Sequence, residues 1–299
     1  MSALLDVAEA LDRIPEWRGR VEAVAPLEGG ITNRNYRVLV DGASFVVRIP
    51  AANGHLLGID RAVEHLATRL AAAAGVGPEV VAFVSPPGLL VTRFIEGTPV
   101  GLEAIKAPET MRRIVESLRR VHGAGSLPAG FSPFRVVEAY AQTSVAHGVK
   151  LPEEYAGLHV RAVEIERALA GEPACLCHND LLNANFIDDG AAIRIVDWEY
   201  AGMGDRFFDF GNFAVNHELG EEEERTLLAE YFGSCTPRDL ARLRLMRIMS
   251  DFREAMWGLV QQGISTLEVD FADYARRHFD RLLRATADVR YPRWLSACA

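Results

Sequence analysis

Residues 177–212 read CHNDLLNANFIDDGAAIRIVDWEYAGMGDRFFDFGN, and this stretch restricts the fold more than any other part of the chain. Asp180 is followed five residues later by Asn185, and Asp197 comes twelve residues after that. The apolar run 174–177 predicts a short strand, and 183–187 begins another. Asp188-Asp189-Gly190 has the composition of a hairpin turn, and 193–196 predicts a strand ending at Asp197. Two carboxylates and an amide therefore lie on successive strand–loop turns that can bring them to one point. Phosphoryl transfer from a metal–nucleotide uses this combination. One carboxylate takes the proton of an attacking hydroxyl, while an amide and a second carboxylate hold Mg²⁺ against the phosphates. Asn and Asp are also common turn residues. Their order, together with His178 and the flanking strands, is what points to chemistry.

The front of the chain agrees. Val21–Leu27, 35–40 and 44–49 predict three strands, the last two joined by Asp41-Gly42 as a tight hairpin. Between the first two lies Glu28-Gly29-Gly30-Ile31-Thr32-Asn33. A small loop of this kind lets backbone N–H groups approach phosphate oxygens, although it also suits an ordinary hairpin. The 44–49 strand carries Arg48, whose guanidinium can grip a phosphate through two N–H groups. A helix is expected over 59–74, with Glu64 either paired to Arg48 or facing water. Strands at Val80–Val84 and 89–92 flank the turn Ser85-Pro86-Pro87-Gly88.

The run HNDLLNANF followed by IVDWEYAGMGDRFFDFGN resembles the choline/ethanolamine kinase family, within the aminoglycoside-phosphotransferase-like enzymes that share a protein-kinase-like fold. GGITNRNYRV and FVVRIP are similar to that family's nucleotide loop and third strand. The protein-kinase H-R-D reads His178-Asn179-Asp180 here, and the D-F-G position reads Asp197-Trp198-Glu199. No A-P-E-like segment follows, which disfavours a protein kinase. The resemblance implies Asp180 as catalytic base, Asn185 and Asp197 as Mg²⁺ ligands and His178 as a brace of the catalytic loop. It also implies Gly29, Gly30, Thr32, Asn33, Arg48, Glu64 and Phe94 around ATP, with 93–97 linking two lobes. Arginine in place of the protein-kinase lysine is this family's habit.

After the linker the chain turns helical. Apolar residues recur with helical period over 107–122, 134–147 and 152–169, and again over 205–217, Glu221–Phe232, 237–262 and 271–285. The expected fold is α+β and bilobal: an antiparallel β-rich lobe over 1–92 and a larger, mainly helical lobe over 93–299. Asp209 and Asn212 are expected to support the catalytic loop by hydrogen bonds to its backbone.

A quaternary ammonium donates no hydrogen bonds, so a site for one needs aromatic faces with carboxylates nearby. The candidates are Glu199, Tyr200, Trp257 and Tyr274, the last two in segments similar to the family's choline-contacting ones. Eukaryotic members of that family often have a second tryptophan three residues beyond the first; Val260 stands there. That leaves ethanolamine or another amine alcohol open as acceptor. Two competing readings are an aminoglycoside phosphotransferase with a wide acidic cleft and a catalytically silent nucleotide-binding relative.

With 299 residues and a net charge of −9, the chain lacks the basic field that nucleic acid requires, and its acidity suits a small cationic substrate. The four cysteines give no disulfide framework. Cys175 and Cys177 alternate onto one face of a strand, without the second ligand pair of a zinc site. No run approaches the ~20 apolar residues of a membrane span, and the N-terminus lacks a signal core, so a cytoplasmic location is expected.

Overall fold

A computed structural model describes residues 5–27 and 32–299. Helix α1 (Val7–Asp12) is capped by Asp6, whose side chain accepts from Glu9 N while Glu9 reaches back to Asp6 N. The first sheet holds β1 (Val21–Leu27), β2 (Asn33–Val40), β3 (Ala43–Pro50), β4 (Val80–Val84) and β5 (Leu89–Arg93) in the order β1-β2-β3-β5-β4, with every pairing antiparallel. Asp41 and Gly42 close the β2–β3 hairpin with φ of 48° and 73°, the left-handed pair that a two-residue turn between twisted strands needs. Strand alternation sends Phe45, Val47 and Ile49 into a small core with Val38, Leu89, Val91, Ala10, Ile14 and Trp17. The same alternation turns Val46 and Arg48 to the opposite face, where a cleft lies.

Helix α2 (Arg61–Ala73) starts at Asp60, which accepts from Ala62 N and Val63 N. Its buried Val63, Ala67 and Ala71 join the larger core of the C-terminal part, not the small core of the sheet. The apolar core is thus divided before residue 92, with α2 resting on the helical side.

Beyond β5 come β6 (Thr98–Pro99), α3 (Leu102–Ile105), α4 (Pro108–His122), α5 (Pro133–Ala146) and α6 (Tyr155–Ala168). Then follow β7 (Cys175–Cys177), β8 (Phe186–Asp188), β9 (Ile193–Ile195) and β10 (Gly202–Gly204). Strand β7 pairs with β10, and β6, β8 and β9 form a second small sheet. The strand expected from residue 183 begins three residues later, because 183–185 form a 3-10 turn whose only cap bond is Phe186 N to Asn183 O. The Sγ atoms of Cys175 and Cys177 do share a face, 3.6 Å apart. His122 lies beside them, with its ring nitrogens engaged by Asp209 and Tyr231.

The chain ends in α7 (Arg206–Asn216), α8 (Glu221–Phe232), α9 (Pro237–Ile264), α10 (Phe271–Thr286) and α11 (Tyr291–Cys298). The 28-residue α9 carries a Thr236–Asp239 capping box and Pro237 in its first turn, and it is the central post against which α5, α7, α10 and α11 pack. At its crossing with α7 a side chain on Gly211 would meet Arg247 N at 2.6 Å, so only glycine lets the two backbones approach. Among the described residues no helix is long and apolar enough to cross a membrane.

Candidate active site

Strand β7 delivers His178 to the loop that follows it. His178 is fully buried; its Nε2–H donates to Val196 O at 2.9 Å, and its Nδ1 accepts from Asp180 N at 3.2 Å. This pattern requires the neutral ring, and burial accordingly holds its pKa below the usual histidine value. The next residue, Asn179, sits at φ 66°, and Asp180 follows it. Helix α7 supports the loop from below. Buried Asp209 accepts from His178 N at 2.9 Å and Asn179 N at 2.7 Å, and Asn212 Oδ1 accepts from Leu181 N at 2.6 Å. His178 is thus a brace, as are Asp209 and Asn212.

Asn185 closes the loop by donating from Nδ2 to Asp180 O at 2.9 Å, which leaves its side-chain oxygen to offer. Asp197, just past β9, has φ 70°, a conformation that a non-glycine residue adopts at some cost. Its Oδ1 accepts from Arg48 Nη1 at 2.7 Å, and the same nitrogen donates to Glu64 at 2.5 Å. Burial works against the Arg48 charge, but Asp197 and Glu64 outweigh it and push its pKa up. Glu64 therefore faces Arg48 and not water; its side chain is 2% exposed.

Arg48, Asn185, Asp197 and Phe94 line one cavity of about 340 Å³, with apolar walls from Val46, Leu90, Ile95, Ile187 and Trp198. The Phe94 N–H is taken by Ser44 O at 3.0 Å, and its ring lies under the Arg37 guanidinium at 4.0 Å. Phe94 thus contributes a wall to the cavity, while its amide holds the sheet.

Glu199 has a different setting from the acceptor contact expected of it. It is buried and accepts from Thr32 Oγ1 at 2.5 Å, Asn33 Nδ2 at 2.8 Å and Arg61 Nη1 at 3.2 Å. Thr32 and Asn33, expected around phosphates, spend these side-chain bonds on Glu199. The pKa of Glu199 is raised by burial and by Asp197 beside it. Gly29 and Gly30 lie outside the described residues.

Tyr200, Trp257 and Tyr274 do come together beside Asp180. Trp257 Nε1 donates to Tyr200 Oη at 3.1 Å, Trp257 and Tyr274 meet edge to face at 5.5 Å, and Tyr274 Oη donates to Glu254 at 2.6 Å. Arg253 bridges the cluster to the loop: Nη1 donates to Asp180 Oδ1 at 3.2 Å and to Glu254, and its Cζ lies 4.3 Å over the Tyr200 ring. Burial pushes the Asp180 pKa up to about 7; Arg253 opposes the rise, while Glu254 and Asp197 add to it. A carboxylate poised near neutrality, an amide and a second carboxylate beside a fixed arginine can take a proton at one end and hold a charged nucleotide at the other.

The family model described as the phosphotransferase enzyme family matches residues 23–246. The chain belongs to the phosphotransferase enzyme family. A choline/ethanolamine kinase family protein from Mesorhizobium loti is 32% identical to it, with a TM-score of 0.83 over 96% of this chain and 98% of that one. Ethanolamine kinase 2 of Rattus norvegicus is 27% identical, covering 92% of this chain and 79% of that protein, and Protein LicA of Haemophilus influenzae is 26% identical, covering 87% and 79%. An aminoglycoside phosphotransferase bound to AMP-PNP and hygromycin B is 21% identical, with a TM-score of 0.67 over 93% and 99%, and shows the common fold.

Three residues of this phosphotransferase escaped the sequence reading: Arg61, Arg253 and Glu254. Arg253 and Glu254 left a signal, an adjacent opposite-charge pair inside the buried run of α9, where charge is rare unless it is paired. Arg61 left none, since an arginine in a helix's first turn is ordinary on the surface.

Proposed function

We propose that the chain is an ATP- and Mg²⁺-dependent kinase that transfers the γ-phosphoryl group to the hydroxyl of a small amine alcohol of the choline or ethanolamine type. The observation that carries this reading is that Arg48, Asn185 and Asp197 line one cavity, walled by the strands and linker that precede the helices, while Asp180 shares a loop with Asn185. The similarity to an ethanolamine kinase and to a choline/ethanolamine kinase family protein supports the acceptor class.

Asp180 faces the aromatic cluster on one side and Asn185 on the other. In this scheme it orients the acceptor hydroxyl and takes its proton as the oxygen attacks phosphorus; a carboxylate with a pKa near 7 suits that task. Arg48, held by Glu64, places fixed positive charge at the cavity's inner end, where phosphate oxygens would lie. Asn185 and Asp197 fit Mg²⁺: both offer hard oxygen donors, and Asp197 keeps its left-handed backbone where that oxygen is needed. Asn185 and Asp197 would hold the metal, which would supply positive charge to offset that of the phosphates. We place this ATP-dependent activity in the cytoplasm.

An ADP-release assay with Mg²⁺ over choline, ethanolamine, homoserine and kanamycin tests the proposal. Turnover of choline or ethanolamine well above the others supports it. Turnover of kanamycin alone would transfer the chain to the aminoglycoside reading, and nucleotide binding without turnover to the silent one.

A further inference from the structure

Resting on the amine-alcohol reading above, we propose that Arg253 is a specificity determinant that selects acceptors whose nitrogen still carries a hydrogen. Each aromatic ring that would receive a quaternary ammonium already has a neighbour against it. The Arg253 guanidinium covers the Tyr200 ring at 4.3 Å from its centroid. Its Nε and Nη2 are shut from solvent and have no hydrogen-bond partner among the described residues, so that ring face is their compensation. A ligand cation that took the face would leave a buried arginine poorly paired, which is costly. Trp257 is 8% exposed and meets Phe271 and Tyr274 edge to face. The Tyr274 ring lies between Trp257 and His278, the latter 4.6 Å away.

The carboxylates are less occupied than the rings. Glu254 accepts one bond on Oε1, from Arg253, and one on Oε2, from Tyr274 Oη, so each oxygen keeps a lone pair. Asp180 and Glu254 share a single guanidinium nitrogen, Arg253 Nη1, so neither carboxylate is fully matched by a cation of its own. Such a cluster attracts an ammonium and rewards one that donates N–H to a carboxylate; a trimethylated nitrogen finds charge but donates no hydrogen bond, and at Tyr200 it competes with Arg253 for the ring.

The series ethanolamine, N-methylethanolamine, N,N-dimethylethanolamine and choline separates hydrogen bonding from size on the wild-type enzyme. The expected result is a gradual change in kcat/KM over the first three and a drop of about tenfold or more at the last step, where the final N–H is lost. Arg253→Leu, which frees the Tyr200 face, is expected to narrow the ethanolamine-to-choline ratio by about tenfold, a readout that a purely structural defect would leave alone. Choline used as well as dimethylethanolamine by the wild type, or an unchanged ratio in Arg253→Leu, overturns the inference while leaving the amine-alcohol reading intact. Turnover of none of the four removes both.

Discussion

Two side chains decide the chemistry at the level of single residues. Asp180→Asn keeps the shape of the loop but removes the proton acceptor, so kcat is expected to fall by at least ~10²-fold while nucleotide still binds; turnover within about threefold of wild type would exclude Asp180 as the base. Asp197→Ala is expected to abolish the tightening of ATP by Mg²⁺, because the carboxylate that would reach the metal is gone and the neutral amide of Asn185 is the one proposed ligand left. Nucleotide titrations with and without Mg²⁺ measure this, and an undiminished metal effect would sink the assignment. That Asp180, Asn185 and Asp197 belong together was legible in the sequence, because the roles proposed for them demand particular atoms at fixed intervals along one segment. The settings of Glu199 and Phe94 were not, because neighbours 167 and 50 residues away in the chain determine them: Thr32 holds Glu199, and Ser44 takes the Phe94 N–H. Spacing along the chain carries no trace of such contacts.

The element that matters most is α7, which holds the catalytic loop by three backbone N–H groups through Asp209 and Asn212. Apolar periodicity located α8 and α10 to within a residue or two, since each has one face in the core and one in water, and α7, although buried all round over 207–215, also starts and ends within a residue of its expected bounds. It missed α11, a short helix near the chain's end where Tyr291 and Cys298 alone are buried, too few to set a period. At the end of α7, His217 gives the fold a pH dependence. Its Nδ1–H donates to Phe213 O at 2.7 Å, and Nε2 is buried without a partner among the described residues. Burial lowers its pKa to about 4, against about 6.5 in the unfolded chain. The unfolded state therefore binds the proton first. The neutral ring's contribution is fully present above about pH 6.5 and is lost as pH falls toward 4. Between pH 7 and pH 5 this histidine is expected to cost about 2 kcal/mol of stability. Urea denaturation of wild type and His217→Gln at both pH values isolates it; equal pH dependence in the two proteins would show that the ring is not titrating.

Across the whole molecule, two apolar cores meet at a cleft whose inner end is tied by charge. The sheet contributes Thr32, Asn33 and Arg48; α2 contributes Glu64 and Arg61; the segment after β9 contributes Asp197 and Glu199. Buried charges of this kind add little net stability when complete, yet they cost heavily when one member is removed and its partners stay in place. Glu199 is the member with the most ties, since among the described residues it alone joins Thr32 and Asn33 to α2. Glu199→Gln removes the charge and turns an amide N–H₂ toward donors at Asn33 or Arg61, so about 2 kcal/mol of stability should be lost. For a chain of this size that lowers Tm by about 3 °C. The same change should raise the KM for ATP more than that for the acceptor, because Thr32 and Asn33 lie where the chain leaves the nucleotide loop, whereas the Arg253 cluster is untouched. A thermal melt and the two KM values measure both effects. An unchanged Tm would show that Glu199 carries no load across the cleft, and equal rises in the two KM values would mean that it holds the fold in general and not the nucleotide side in particular.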